Sequence, residues 1–137
     1  MIRRKVLIVV RQYSIEPLGI LYLAGVARDA GWDCKVVCIE EFDFSPLYET
    51  MHEWTPDIVG FQIWTGYHLP AFAACDVVRS MGVPVVIGGP HATYFDSECL
   101  EHADWVTKGG SFGLFERLLD GDLPRGRLIP LSQVPLA

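Results

Sequence analysis

Short apolar runs rich in β-branched residues recur along this chain with helix-spaced segments between them, and that alternation leaves few folds open. Lys5–Val10 reads KVLIVV, with nothing polar after its first position, the pattern of a strand buried on both faces. Over Pro17–Ala30 the period changes. Leu18, Leu21, Tyr22, Gly25 and Val26 fall on one helical stripe, and Gly31 supplies the stop. The same reading predicts strands over Asp33–Ile39, Pro56–Ile63, Val83–Ile87 and Ala103–Thr107. It predicts helices over Pro46–Trp54, Leu69–Met81, Tyr94–Leu100 and Phe112–Leu119.

Strands that alternate with helices imply an α/β fold, a parallel sheet with helices on both faces. Right-handed crossovers then favour a five-stranded sheet of order 2-1-3-4-5, the flavodoxin-like (Rossmann-like) arrangement. Ligands of such sheets bind beyond the carboxyl ends of the strands, at the switch point between the first and third. The loops that matter are therefore Arg11–Glu16, Gln62–His68 and Gly88–Thr93. Ile58–Cys75 carries no Asp, Glu, Lys or Arg. Gly60, Gln62, Thr65, Gly66, His68 and Pro70 interrupt it, so it reads as a buried strand, an uncharged loop and a helix start rather than a membrane span. An uncharged loop between two buried elements suggests a covered surface that holds a ligand.

A length of 137 residues suits one domain. The net charge of −6, from 11 basic and 17 acidic residues, argues against nucleic acid as a partner, since a basic face supplies most of that affinity. Arg3, Arg4 and Lys5 read as a solvated strand flank. The apolar start Val6–Val10 ends at Arg11 and is too short for a secretory signal, and the unpaired cysteines lead to the expectation of a reduced, cytoplasmic setting. Cys34, Cys38, Cys75 and Cys99 include no Cys-x-x-Cys pair and read as structural thiols, with Cys34 and Cys38 expected to be buried in a strand. Leu123–Ala137 holds Pro124, Pro130 and Pro135 and carries no charge after Arg127. The expected organisation is a domain over residues 1–122 and a linker or tail over 123–137 leading to a domain absent from this chain. The other reading is a tail packed back on the domain.

The most informative stretch is Gly88-Gly89-Pro90-His91-Ala92-Thr93, directly after a predicted strand. A glycine pair there lets a backbone approach a bulky ligand closely. With Glu16-Pro17-Leu18-Gly19-Ile20-Leu21-Tyr22-Leu23-Ala24, Ala30-Gly31-Trp32 and Pro56-Asp57-Ile58-Val59-Gly60, it makes nearly the whole chain resemble the cobalamin-binding domain of cobalamin-dependent radical S-adenosylmethionine enzymes. Gly109-Gly110-Ser111-Phe112 stands where that family usually reads Gly-Glu-Gly-Glu. The wider cobalamin fold carries Asp-x-His-x-x-Gly, Ser-x-Leu and Gly-Gly. In their places stand Ser14-Ile15-Glu16-Pro17-Leu18-Gly19, Gln62-Ile63-Trp64 and Gly88-Gly89.

The resemblance implies a cobalamin held without a histidine from the first loop, because Glu16 occupies that place and a carboxylate is a poor substitute for imidazole. It implies that the cofactor's benzimidazole tail enters beside the first and third strands, with the Gly88-Gly89 backbone flanking it and the corrin on the strand-end loops. The implied contact set is Tyr13, Ser14, Ile15, Glu16, Leu18, Gly19, Gln62, Ile63, Trp64, Thr65, Tyr67, Gly88, Gly89, Pro90, His91, Gly109 and Gly110. Several roles stay open. The group under cobalt is His91, Tyr67 or a water. His91 otherwise bonds the nucleotide loop or caps the next helix. Trp64 covers a corrin face or belongs to the core, and Glu16 touches the cofactor or supports the start of the Pro17 helix. The family's iron–sulfur motif, Cys-x-x-x-Cys-x-x-Cys, fails here because Glu41 follows Cys34 and Cys38 in the third place. No iron–sulfur cluster and no catalysis are therefore expected of this chain alone, and its partner is a radical S-adenosylmethionine domain in cis or in trans. The competing expectation is a relative that has lost the cofactor and serves as an interaction module, with Trp64 filling the slot. A flavin is disfavoured, since Arg11–Glu16 is not a phosphate loop.

Overall fold

Val6 to Val10 are all buried in β1 (Lys5–Arg11), because that strand is hydrogen-bonded on both sides and covered on both faces. The computed structural model describes residues 4–11, 18–107 and 128–129, with the backbone alone for 18–23 and 128–129. After β1 come α1 (Leu18–Asp29), β2 (Asp33–Ile39), α2 (Ser45–Trp54), β3 (Ile58–Gln62), α3 (His68–Ser80) and β4 (Val85–Gly88). The chain continues through α4 (Pro90–Tyr94), α5 (Asp96–Leu100), β5 (Trp105–Thr107) and β6 (Leu128–Ile129). The sheet runs β2-β1-β3-β4-β5-β6 and every pair is parallel. The expected 2-1-3-4-5 order is present. Leu128–Ile129 adds a sixth strand at the far edge, beside Val106 and Thr107, that periodicity did not reveal. The helix expected over Phe112–Leu119 lies outside the described residues.

Alternation along β1 divides the interior in two. Leu7 and Val9 point into a core with Phe61 and Ile63, residues of α2 and α3, and Cys99 of α5. Val6, Ile8 and Val10 point the other way, onto Ala27 of α1, Trp32, Val86 and Trp105. Two aspartates set the amino ends of the inner strands. Lys5 donates its amide to Asp57 Oδ2 at 2.8 Å, and the Asp57 amide donates to the Lys5 carbonyl at 2.8 Å. Asp104 repeats the device on Val85, accepting its amide at 2.9 Å and donating to its carbonyl at 2.8 Å. A carboxylate thus satisfies the amide that each strand start leaves over.

Two local expectations change. The helix expected over Tyr94–Leu100 is instead two short helices, and the first begins four residues earlier, at Pro90. Pro90 is preset for a first helical position and has no amide to satisfy there, while Phe95, at φ −131° and ψ 48°, breaks the run. Cys34 is half-buried and Cys38 exposed, because β2 is an edge strand with only β1 beside it. Cys75 and Cys99 are the buried thiols.

Burial pushes the Cys34 thiol up to about 11, partly countered by Arg28, and the Cys99 thiol up to about 12, with Glu98 and Asp96 adding to the effect. Burial likewise drives Cys75 well above the ordinary thiol range. A raised pKa removes the reactive thiolate. Disulfide-exchange reagents at pH 8 are therefore expected to label Cys38 first and Cys34 roughly 10- to 100-fold more slowly. Cys75 and Cys99 should react only after unfolding, and prompt labelling of either in the native chain would contradict the packing described here.

Candidate functional site

Two loops meet at the carboxyl ends of β3 and β4, and a ladder of bonds from one backbone to the other holds them. In the sheet Gln62 stands opposite Gly88. One residue on, the Ile63 amide donates to the Gly88 carbonyl at 2.9 Å, and the His91 amide donates to the Ile63 carbonyl at 3.1 Å. Gly89 makes this closeness possible. Its φ is +100°, and a Cβ there would lie 2.8 Å from the Ile63 oxygen and 2.9 Å from its nitrogen. A Cβ on Gly88 would lie 2.8 Å from Thr107 Oγ1. The space freed by the glycine pair is thus taken up by the protein's own backbone and by β5.

His91 lies under this junction, 2% exposed. Its Nδ1 is 2.8 Å from Thr65 Oγ1 and its Nε2 is 3.1 Å from Glu98 Oε1. The ring stacks on His68 at 4.2 Å and on Phe95 at 4.8 Å, and meets Phe72 edge-on at 5.7 Å. His68 Nδ1 accepts the Gly66 amide at 3.1 Å, so two imidazoles hold the Thr65–Gly66 turn. Ligand atoms of His68, His91 and Glu98 fall within 4.8 Å of one another. The two rings are only 16° from parallel, so their in-plane lone pairs run side by side and do not converge on one ion about 2.0–2.1 Å from each. This group is a stack with a carboxylate at its edge.

Of the residues implied by the sequence, Gln62, Ile63, Trp64, Thr65, Tyr67, Gly88, Gly89, Pro90 and His91 are brought together at this end of the sheet. Trp64 is 41% exposed and Thr65 is also exposed, whereas Ile63 and Tyr67 are buried. Tyr67 stacks on Phe44 at 5.8 Å and on Phe42 at 6.3 Å, with the Arg11 guanidinium 5.7 Å from its ring. A metal reaching either nitrogen of His91 would displace Thr65 or Glu98. Leu18 and Gly19 lie in the first turn of α1. Tyr13, Ser14, Ile15, Glu16, Gly109 and Gly110 fall outside the described residues. Sequence reasoning missed His68, Phe95 and Glu98. No spacing rule links Glu98 to His91, because the break at Phe95 separates their helices.

The fold is that of an α/β protein with a doubly wound parallel sheet, and exposed aromatic and polar side chains stand at the carboxyl ends of its strands, where such sheets take their ligands. Residues 4–119 match the B12 binding domain family. The chain belongs to that family and is a cobalamin-binding domain. It is 30% identical over 118 residues to an uncharacterized methyltransferase of Pyrococcus horikoshii, an alignment covering 81% of this chain and 25% of that protein. The chain thus spans about a quarter of the relative's length. Among solved structures, a novel cobalamin-binding protein from Desulfitobacterium hafniense superimposes with a TM-score of 0.69 at 16% identity, over 88% of this chain and 59% of that one. The sugar isomerase domain of an RpiR transcription factor from Sphaerobacter thermophilus gives 0.58 at 17% identity, over 88% and 70%. At these identities the two structures speak to the fold. No helix among the described residues is long and apolar enough to cross a membrane.

Gly89→Ala is expected to destabilise the chain by at least about 1–3 kcal/mol, from the left-handed backbone alone, with the clash against Ile63 added. Gly82→Ala is the control, because Gly82 has φ +81° with nothing within 4 Å of an added Cβ. Urea unfolding of both variants separates strain from close approach, and equal losses would remove the role assigned to Gly89.

Proposed function

We propose that this chain is the cobalamin-carrying part of a radical S-adenosylmethionine methyltransferase-type system, and that it holds the cofactor without a histidine from the first loop. The observation that carries the reading is the junction of Ile63, Gly88 and His91, which fastens the loops after β3 and β4 together beside the end of β1. The residues suit the cofactor. Exposed Phe42, Trp64, Tyr94 and Phe95 follow the carboxyl ends of β2, β3 and β4 and offer apolar surface to a corrin face. Exposed Thr65 and half-buried Gln62 offer polar atoms to its amide rim.

Bound cobalamin supplies a cobalt-borne methyl group; this chain's residues bind and orient it. Gln62, Ile63, Trp64 and Thr65 would hold it from one side, Gly88 to His91 from the other, and Tyr13 to Glu16 with Leu18 and Gly19 from the first loop and helix. Gly109 and Gly110 would close the far side. Two observations support cobalt free of protein histidine. Glu16 stands in the usual place, and both nitrogens of His91 are engaged. The methyltransferase relative, about four times as long as the match, supports a further domain beside this one, and in our reading that domain bears the three-cysteine cluster. The exposure of Trp64 speaks for an unplugged slot and so for a carrier rather than an interaction module.

Titration of the purified chain with hydroxocobalamin, followed by desalting and visible spectroscopy, tests the reading. Retained cobalamin with the spectrum of a displaced benzimidazole tail is the expected result. A folded chain that retains none, alone and when lengthened toward its partner domain, would refute it.

A further inference from the structure

We infer that His91 is a positioning residue that, with Glu98, turns the Thr65 hydroxyl so that it offers cobalamin a hydrogen-bond acceptor and selects a donor group of the cofactor. The inference rests on the cobalamin reading and adds the polarity of one contact. An ionised carboxylate only accepts hydrogen bonds. With Glu98 Oε1 3.1 Å away, Nε2 of a neutral His91 carries the proton, and Nδ1 is left with its lone pair. Thr65 Oγ1, at 2.8 Å, then donates its single hydrogen inward to Nδ1. What Thr65 shows outward is lone pairs alone.

The arrangement is rigid where it needs to be. His68 and Phe95 stack on the imidazole and Phe72 closes its edge, so the ring does not turn over to exchange its nitrogens. His68 and Glu98 are the titratable groups that face it among the described residues. Thr65 lies on the exposed loop after β3, the strand paired with β1 at the switch point. A buried relay that ends on a surface hydroxyl at a cofactor cleft sets which partner that hydroxyl accepts. Cobalamin has two kinds of donor for it, the amide N–H groups around the corrin and the ribose hydroxyls of the nucleotide tail.

The test uses the whole 137-residue chain at pH 8, where histidine is ordinarily neutral. Long-range imidazole ¹⁵N spectra of the cofactor-free protein read the tautomer, and visible titrations with hydroxocobalamin and with tail-less cobinamide read binding. The wild type should show an Nε2–H imidazole. Thr65→Ser should bind as the wild type does, and Thr65→Val about 3- to 10-fold more weakly, the loss of one hydrogen bond. Glu98→Lys, whose ammonium only donates, should shift the tautomer to Nδ1–H and weaken binding by a similar factor. The pair Thr65→Val with Glu98→Lys should bind no more weakly than Thr65→Val alone. Merely structural roles would instead give losses that multiply. Weakened cobinamide binding in Thr65→Val assigns the donor to the corrin rim; an effect confined to cobalamin assigns it to the tail.

An Nδ1–H wild type, a Glu98→Lys spectrum that keeps Nε2–H, full affinity in Thr65→Val, or multiplying losses would each overturn the inference while leaving the cofactor reading intact. A wild-type chain that binds no cobalamin ends both.

Discussion

β1 is buried on both faces and paired on both edges, and the rest of the molecule is arranged around that condition. A strand with no solvated face must give every side chain an apolar neighbour. Leu7 and Val9 are met from one side by residues of α2 and α3, and Val6, Ile8 and Val10 from the other by Ala27 and Trp32. Its amide and carbonyl groups are used by β2 and β3. The carboxyl ends of β1 and β3 therefore lie side by side, and α1 and α3 pack on opposite faces of the sheet. Sheets of this order take their ligands at that place.

The loops at that cleft are joined by backbone rather than by long side chains. Ile63 serves as both donor to Gly88 and acceptor from His91, so one residue fixes two loops. Such closeness requires the missing Cβ of Gly89. A glycine pair at a strand end suggested room for a ligand. In the structure a Cβ at either glycine would strike the chain itself, and Trp64 and Thr65 stand exposed beside the pair. Beneath them the buried His91 satisfies both nitrogens, as a polar ring at 2% exposure must to offset its desolvation.

Most of the fold was legible in the sequence. The β-branched run at Lys5–Val10, the helical stripe ending at Gly31 and the repeated change of period lead to a parallel sheet of order 2-1-3-4-5, and Asp33–Ile39 forms a strand with the expected bounds. Local signals failed where the controlling contact is distant. Leu128–Ile129 becomes a strand because β5 has an open edge, and nothing in two residues announces that. Cys34 and Cys38 look like interior residues, yet β2 is the sheet's edge and leaves them half-buried and exposed.

The site divides in the same way. Sequence by itself determined the cofactor class, through the stretches that resemble the cobalamin-binding family, Gly88–Thr93 foremost among them. That is a matter of residue identity along the chain. Only the tertiary structure decided what His91 does. Its partners Thr65, His68 and Glu98 come from three separate elements, and they meet because β3 and β4 are neighbours in the sheet and the chain breaks at Phe95. Hydrogen bonds of a buried ring depend on distances of about 3 Å, which are set by packing. Residue order along one strand or helix carries no record of them.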